Sequence, residues 1–146
     1  MGFTFAETMA GTIEWDDAPG IQHPFRFEVT AQADSTRQHF KDGKATLRGT
    51  ITAPPRANAV ATEGTITIRP LDQKIIRYEL AFVGDDGQHY ELVGQKDIRW
   101  KHPLRSMSYL PCEILDDDHR RVATCKTTFD TRNDLWSFIR SFRPIR

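Results

Sequence analysis

"ATLRGTITA", residues 45–53, decides the fold. Ala45, Leu47, Gly49, Ile51 and Ala53 alternate with Thr46, Arg48, Thr50 and Thr52 without a break. Period two over that length is a β-strand with one apolar and one polar face. The tetrapeptide Gly-Thr-Ile-Thr at 49–52 returns at 64–67, where Gly64, Ile66 and Ile68 alternate with Thr65, Thr67 and Arg69. The two segments read as antiparallel neighbours joined by residues 54–63. Gly11-Thr12-Ile13 repeats the start of the motif, within a run in which Phe3, Phe5, Met9, Gly11, Ile13 and Trp15 share one parity. Phe25, Phe27, Val29 and Ala31 alternate with Arg26, Glu28 and Thr30 in the same way.

Outward from there, residues 76–98 read as a hairpin. With Asp85-Asp86-Gly87 as a three-residue loop and Gly87 left-handed, Phe82 faces Tyr90, Leu80 faces Leu92 and Tyr78 faces Gly94. The last pair sets a ring against a glycine, a known way of covering the gap in a sheet. A second hairpin turning at Asp117 to Arg120 places Cys112 opposite Cys125, Leu110 opposite Thr127 and Ile114 opposite Ala123. The cysteines are then inner-face neighbours, read as two buried thiols, with a cross-strand disulfide or redox pair as the alternative.

Gly11, Gly49, Gly64 and Gly94 all fall on apolar faces, where a glycine buries nothing and weakens a strand by about 0.5–1 kcal/mol. Two readings account for them. Inward glycines let a sheet bend far enough to close, or each site is crowded by a bulky neighbour. After residue 129 the period changes: Leu135, Phe138, Ile139 and Phe142 recur at helical spacing, Asp130 or Thr131 can cap, and Pro144 blocks extension. This predicts one C-terminal helix over 132–142 lying against the sheet.

The chain of 146 residues reads as a single domain, residues 1–146. Twenty Lys plus Arg balance twenty Asp plus Glu, so no global field would gather nucleic acid or an anionic membrane. No apolar run suits a membrane span, and a glutamate interrupts the N-terminal segment where a secretory signal would be apolar, which predicts a cytoplasmic protein.

Signals for chemistry are sparse. The sequence holds no phosphate-binding glycine loop, no Gly-x-Ser-x-Gly elbow, no Cys-x-x-Cys and no histidine pair at ligand spacing, so neither cofactor nor metal is expected, and the chain does not read as an enzyme. Asp116-Asp117-Asp118 reads as a turn. Glu7 shares the inward parity of Phe5 and Met9, where a carboxylate needs a partner or a raised pKa. It anchors a ligand's polar group, pairs with an arginine, or follows a bulge that turns it outward. Trp100 and His102, in Trp100-Lys101-His102-Pro103, read as the rim of a cavity. With the inward rings Tyr78 and Tyr90, these residues form the candidate ligand site.

The order "FAETMAG", "FKDGKATLRGTITAP", "EGTITI", "RYELAFVGDDGQHYELVGQKDI" and "FDTRNDLWSFIRSFR" resembles the accessory β-rich region of bacterial cholesterol-oxidase-like flavoproteins of the glucose-methanol-choline oxidoreductase group. The similarity covers residues 3–143, through short glycine-punctuated motifs. It implies a stand-alone relative of that region without the flavin domain. The flavin fingerprint and catalytic residues of those enzymes lie outside it, and "WKHPLRSMSYL", 100–110, departs from the family's Asp-Thr-rich stretch, so no functional residue carries over.

The expected architecture is all-β: an antiparallel, strongly curved, calycin-like barrel or sandwich of about eight strands with one C-terminal helix. The expected function is non-catalytic binding of a lipid-like or other apolar small molecule inside the barrel, the ligand class being what the resemblance implies. The alternative is a structural or protein-interaction module, an accessory partner of an oxidoreductase or a homodimer through an exposed strand edge, with a fully packed core.

Overall fold

The computed structural model describes residues 3–33, 43–69, 73–97 and 109–128. They form eight strands: β1 (Phe3–Trp15), β2 (Gln22–Ala33), β3 (Lys44–Ala53), β4 (Ala57–Arg69), β5 (Ile75–Val83), β6 (His89–Asp97), β7 (Tyr109–Leu115) and β8 (Arg121–Thr128). Each pairs antiparallel with the next, and β8 returns to β1, so the sheet closes into a barrel in chain order. Closure satisfies backbone groups that an open sheet would leave along two edges. The helix expected over 132–142 lies outside the described residues, as do Trp100 and His102. No helix among the described residues is long and apolar enough to cross a membrane.

Both hairpin registers read from the sequence hold: Tyr78↔Gly94, Leu80↔Leu92 and Phe82↔Tyr90, then Leu110↔Thr127, Cys112↔Cys125 and Ile114↔Ala123. Gly87 is left-handed, with φ 78°, in a loop closed by the Gly84 amide donating to the Gln88 carbonyl at 2.9 Å. The second loop is built alike, but Asp116 and Arg120 close it and His119 takes the left-handed position at φ 60°. The repeated Gly-Thr-Ile-Thr segments are neighbours, with Leu47 opposite Gly64.

One expectation is corrected. Residues 57–63 belong to β4, and the connection shrinks to the turn Ala53–Arg56. The period is hidden there by a bulge: the register shifts between Ile51↔Val60 and Ala53↔Ala57, and the spare residue sits near Ala59, whose amide is taken by Thr52 Oγ1 at 3.0 Å.

Both readings of the inward glycines are realised, at different positions. A Cβ on Gly11, Gly49 or Gly64 would lie 1.8 Å from the carbonyl oxygen of Lys126, Glu28 or Glu79 on the neighbouring strand. At these three positions the backbones approach closely as the sheet coils. At Gly94 the same atom would meet Cys112 Sγ at 2.8 Å and Leu110 Cδ1 at 3.2 Å, which is side-chain crowding. The atoms nearest to that Cβ thus belong to β7, while the Tyr78 hydroxyl, opposite Gly94 in the ladder, reaches Glu7.

The interior is apolar for most of its length. Met9, Ile13, Phe27, Ile51, Ile66, Ile76, Leu80, Leu92 and Ile114 are fully inaccessible. Rings interlock between strands, Phe27 with Tyr78 at 5.9 Å and Phe82 stacked on Tyr90 at 5.4 Å.

Candidate functional site

Two polar clusters interrupt this apolar interior. The first is the group Glu7, Tyr78 and Lys96. β1 pairs with β2 from Phe3↔Ala33 to Glu14↔Gln22 with no register break, so Glu7 keeps inward parity opposite Val29. The bulge that would have turned it outward is absent. Lys96 is inward because β6 continues the alternation Tyr90, Leu92, Gly94, and it stands opposite Ile76.

The Tyr78 hydroxyl donates to both Glu7 oxygens, 2.5 Å from Oε1 and 2.7 Å from Oε2. Lys96 Nζ lies 3.3 Å from Glu7 Oε1 and 5.3 Å from the centre of the Tyr78 ring. The Lys96 side chain is 0% and that of Glu7 1% accessible, so water screens neither charge. Glu7 is therefore paired as a buried carboxylate must be, with lysine in place of the arginine that one of the three readings named.

Burial disfavours charge on Lys96 and pulls its pKa below the usual lysine value, while the Glu7 carboxylate pulls it back up. Tyr78 goes well above the usual phenol value, chiefly through desolvation and then through the adjacent Glu7 charge. Cys112 is pushed up to about 12 by burial, against the lowering effects of Thr127 and Lys96. Cys125 moves up for the same primary reason. Both cysteines are free, the reduced state favoured from the sequence.

The second cluster closes the end of the barrel that carries the β1–β2, β3–β4 and β5–β6 turns. Trp15 Nε1 donates to the Pro54 carbonyl at 2.7 Å, and the Arg56 guanidinium sits over the Trp15 ring, 4.2 Å from its centre. Arg56 also donates to Asp17 and, at 3.3 Å, to the Tyr90 hydroxyl, which itself donates to Asp86 Oδ2 at 2.6 Å. Tyr90 is thus separated from Glu7 and Tyr78: the structure brings two of the candidate ligand residues together and assigns the third to this cap. Trp100 and His102 fall outside the described residues.

Sequence reasoning missed Lys96, although its signal was present in the alternation that placed Tyr78. The hairpin register followed apolar faces and stopped at the Tyr78–Gly94 pair, one inward position short. Among the described residues no grouping of His, Cys, Asp and Glu could hold a metal ion. In the Asp116–Asp118 run, Asp116 Oδ1 accepts from the amides of Asp118 and Arg120 at 2.9 and 3.0 Å, the work of a turn.

Beside Lys96 the β6–β7 ladder is incomplete. Those strands pair only from Glu91↔Leu115 to Gly94↔Cys112. The next position would match Gln95 with Pro111, and a proline has no amide to donate, so the ladder ends there. Outside this seam a groove of about 420 Å³ is lined by Gly94, Gln95, Tyr109, Cys112 and Cys125, among others. A larger outer groove of about 950 Å³ runs past Phe82, His89 and His119. Comparison with family models, curated proteins and solved structures gives no match, so the reading of this site rests on its geometry.

Proposed function

We propose that the barrel is a non-catalytic binding module for a small, mainly apolar molecule with one polar end, held by Glu7, Tyr78 and Lys96. The observation that carries this reading is a carboxylate, an ammonium and a phenol buried together inside an apolar barrel. Closing an eight-stranded barrel does not require them, and a buried ion pair is on average no more stabilising than apolar side chains of equal volume. Glu7 can accept from a ligand hydroxyl, and Lys96 can donate to a hydroxyl or carbonyl. Such a calycin-like use of the barrel also fits the ligand class suggested by the resemblance to sterol-oxidising flavoproteins, and a cytoplasmic carrier is the expected setting.

Thermal denaturation of the purified protein with long-chain alcohols and sterols, alongside native mass spectrometry of the protein as isolated, tests the reading. A stoichiometric complex and a rise in Tm, both lost in Glu7→Gln, are expected. No shift with any member of the series, and no co-purifying compound, would overturn it. A second reading, a structural or interaction module such as a partner of an oxidoreductase, is favoured by the packed rings Phe27, Tyr78, Phe82 and Tyr90. It expects the same null result together with capture of a partner protein.

A further inference from the structure

Resting on the binding reading above, we infer that Lys96 is a covalent capture site for small apolar aldehydes, forming an imine whose protonated form keeps Glu7 as its counter-ion. The chain has six lysines. Among the described ones, Lys44, Lys74 and Lys126 are exposed and Lys96 is enclosed. Enclosure matters in two ways. An exposed lysine holds its proton at neutral pH and offers little free amine, whereas an enclosed one offers more. An imine formed in water is also hydrolysed readily, and apolar walls protect it.

The neighbours of Lys96 suit each step. Glu7 Oε1, at 3.3 Å, takes one proton from the ammonium. The amine lone pair then bonds to the aldehyde carbon, and the carbonyl oxygen gains a proton to give a carbinolamine. That oxygen leaves as water while the carbon–nitrogen double bond forms. The nitrogen finishes as a cationic iminium, Glu7 is again a carboxylate, and the net change is aldehyde plus ammonium to iminium plus water. No oxidant or reductant is consumed. Charge at the site is the same before and after, so the interaction that makes the buried pair tolerable survives capture. Tyr78, donating to both Glu7 oxygens, stabilises the carboxylate and so favours return of the proton to the imine nitrogen. Lys96 lies two residues past the last β6–β7 pair at Gly94 and Cys112, where the ladder between those strands has ended.

The test is reductive trapping. The intact protein is incubated at neutral pH with decanal and cyanoborohydride, and modified lysines are located by peptide mass mapping. Lys96 is expected to be modified at least ~10-fold faster than Lys44, Lys74 and Lys126, since its enclosure favours the uncharged amine. Decanol, which binds without reacting, should slow trapping at Lys96 and leave the exposed lysines unaffected. In Lys96→Arg the fast adduct should vanish; if that variant does not fold, decanol competition in the unmodified chain decides. Uniform modification of exposed lysines, or Lys96 trapping that decanol does not slow, overturns the inference. Decanol binding without Lys96 trapping overturns it while sparing the binding reading, and failure of decanol and of every other alcohol and sterol in the series to bind overturns both.

Discussion

The two polar clusters use the same three chemical parts, an aromatic hydroxyl, a cation and a carboxylate, under opposite dielectric conditions. At the cap, Arg56 touches Trp15, Tyr90 and Asp17, and the Asp17 side chain is 68% accessible. The cap carboxylates, Asp17 and Asp86, are exposed and have water as a fallback partner. In the interior, Glu7, Tyr78 and Lys96 have been stripped of water, so each is the reason the others are tolerated. Ion pairs at surfaces are worth about 0–1 kcal/mol, whereas breaking a buried pair costs about 3–5 kcal/mol because a charge is left behind without compensation. Identical contact types thus carry different energies according to burial.

The largest effect that could break this comparison is loss of one interior charge. Lys96→Met should destabilise the fold by about 3–5 kcal/mol in urea unfolding, since it takes the cation from Glu7 and leaves it, among the described residues, the Tyr78 hydroxyl. Replacing the whole group, as in Glu7→Leu with Tyr78→Phe and Lys96→Met, should recover stability to within about 1 kcal/mol of the parent, because no polar atom of the three is then stranded. A single Lys96→Met cost below about 1 kcal/mol would show that the interior pair is as dispensable as a surface one.

Next in size is a paired deletion of hydroxyls. Tyr78→Phe removes a donor to a buried carboxylate and should cost about 1.5–3 kcal/mol, whereas Tyr90→Phe, whose acceptor Asp86 is exposed, should cost about 0.5–1.5 kcal/mol. Equal losses would erase the distinction between the clusters.

Both tyrosines illustrate how far the sequence could be read. Period two placed Tyr78, Tyr90 and Glu7 inside, and the Asp-Gly turn set the register to the residue. Closure was legible from Gly11, Gly49 and Gly64, whose added Cβ atoms would collide with neighbouring backbone. The start of β4 was hidden, because a bulge at Ala59 breaks the alternation that announces a strand. Lys96 was passed over since a lysine is ordinarily assigned to solvent. Which inward residues meet across a barrel depends on tilt and stagger between strands far apart in sequence, and local alternation carries no record of these. The separation of Tyr90 from Tyr78 belongs to that class.

Alkaline titration sharpens the contrast. Folding raises the pKa of Tyr78 strongly and that of Tyr90 less, so absorbance near 295 nm should show Tyr90 ionising while the fold persists and Tyr78 only as it unfolds. The sign follows from proton binding: a group raised in the folded state keeps its proton there and loses it when unfolded, so its stabilisation is complete below the unfolded pKa and declines as pH rises. Cys112, with an ordinary value of 9.0 and about 12 when folded, adds a loss beginning near pH 9, at about 1.4 kcal/mol per unit. Lys96 acts oppositely, its depressed pKa making stability rise with pH until the unfolded lysine has also titrated. Cys112→Ala should therefore flatten the decline between pH 9 and 10, and an unchanged slope would contradict the burial assigned to that thiol.

The smallest expected effect lies at the cap. Asp17→Asn deletes a carboxylate that reaches Arg56 from an exposed position, so the change should stay below about 0.5 kcal/mol. Salt separates the two clusters here. At 0.5 M NaCl the difference between Asp17→Asn and the parent should vanish, since ions approach an exposed pair, while the Lys96→Met difference should remain, since a buried pair is screened much less. Arg56 itself would still be held over Trp15 and against the Tyr90 hydroxyl, so the cap keeps its shape without the ion pair. A salt-resistant Asp17→Asn loss above about 1 kcal/mol would mean that the cap, like the interior, is sealed from water, and the dielectric difference could then no longer be what sets the two clusters apart.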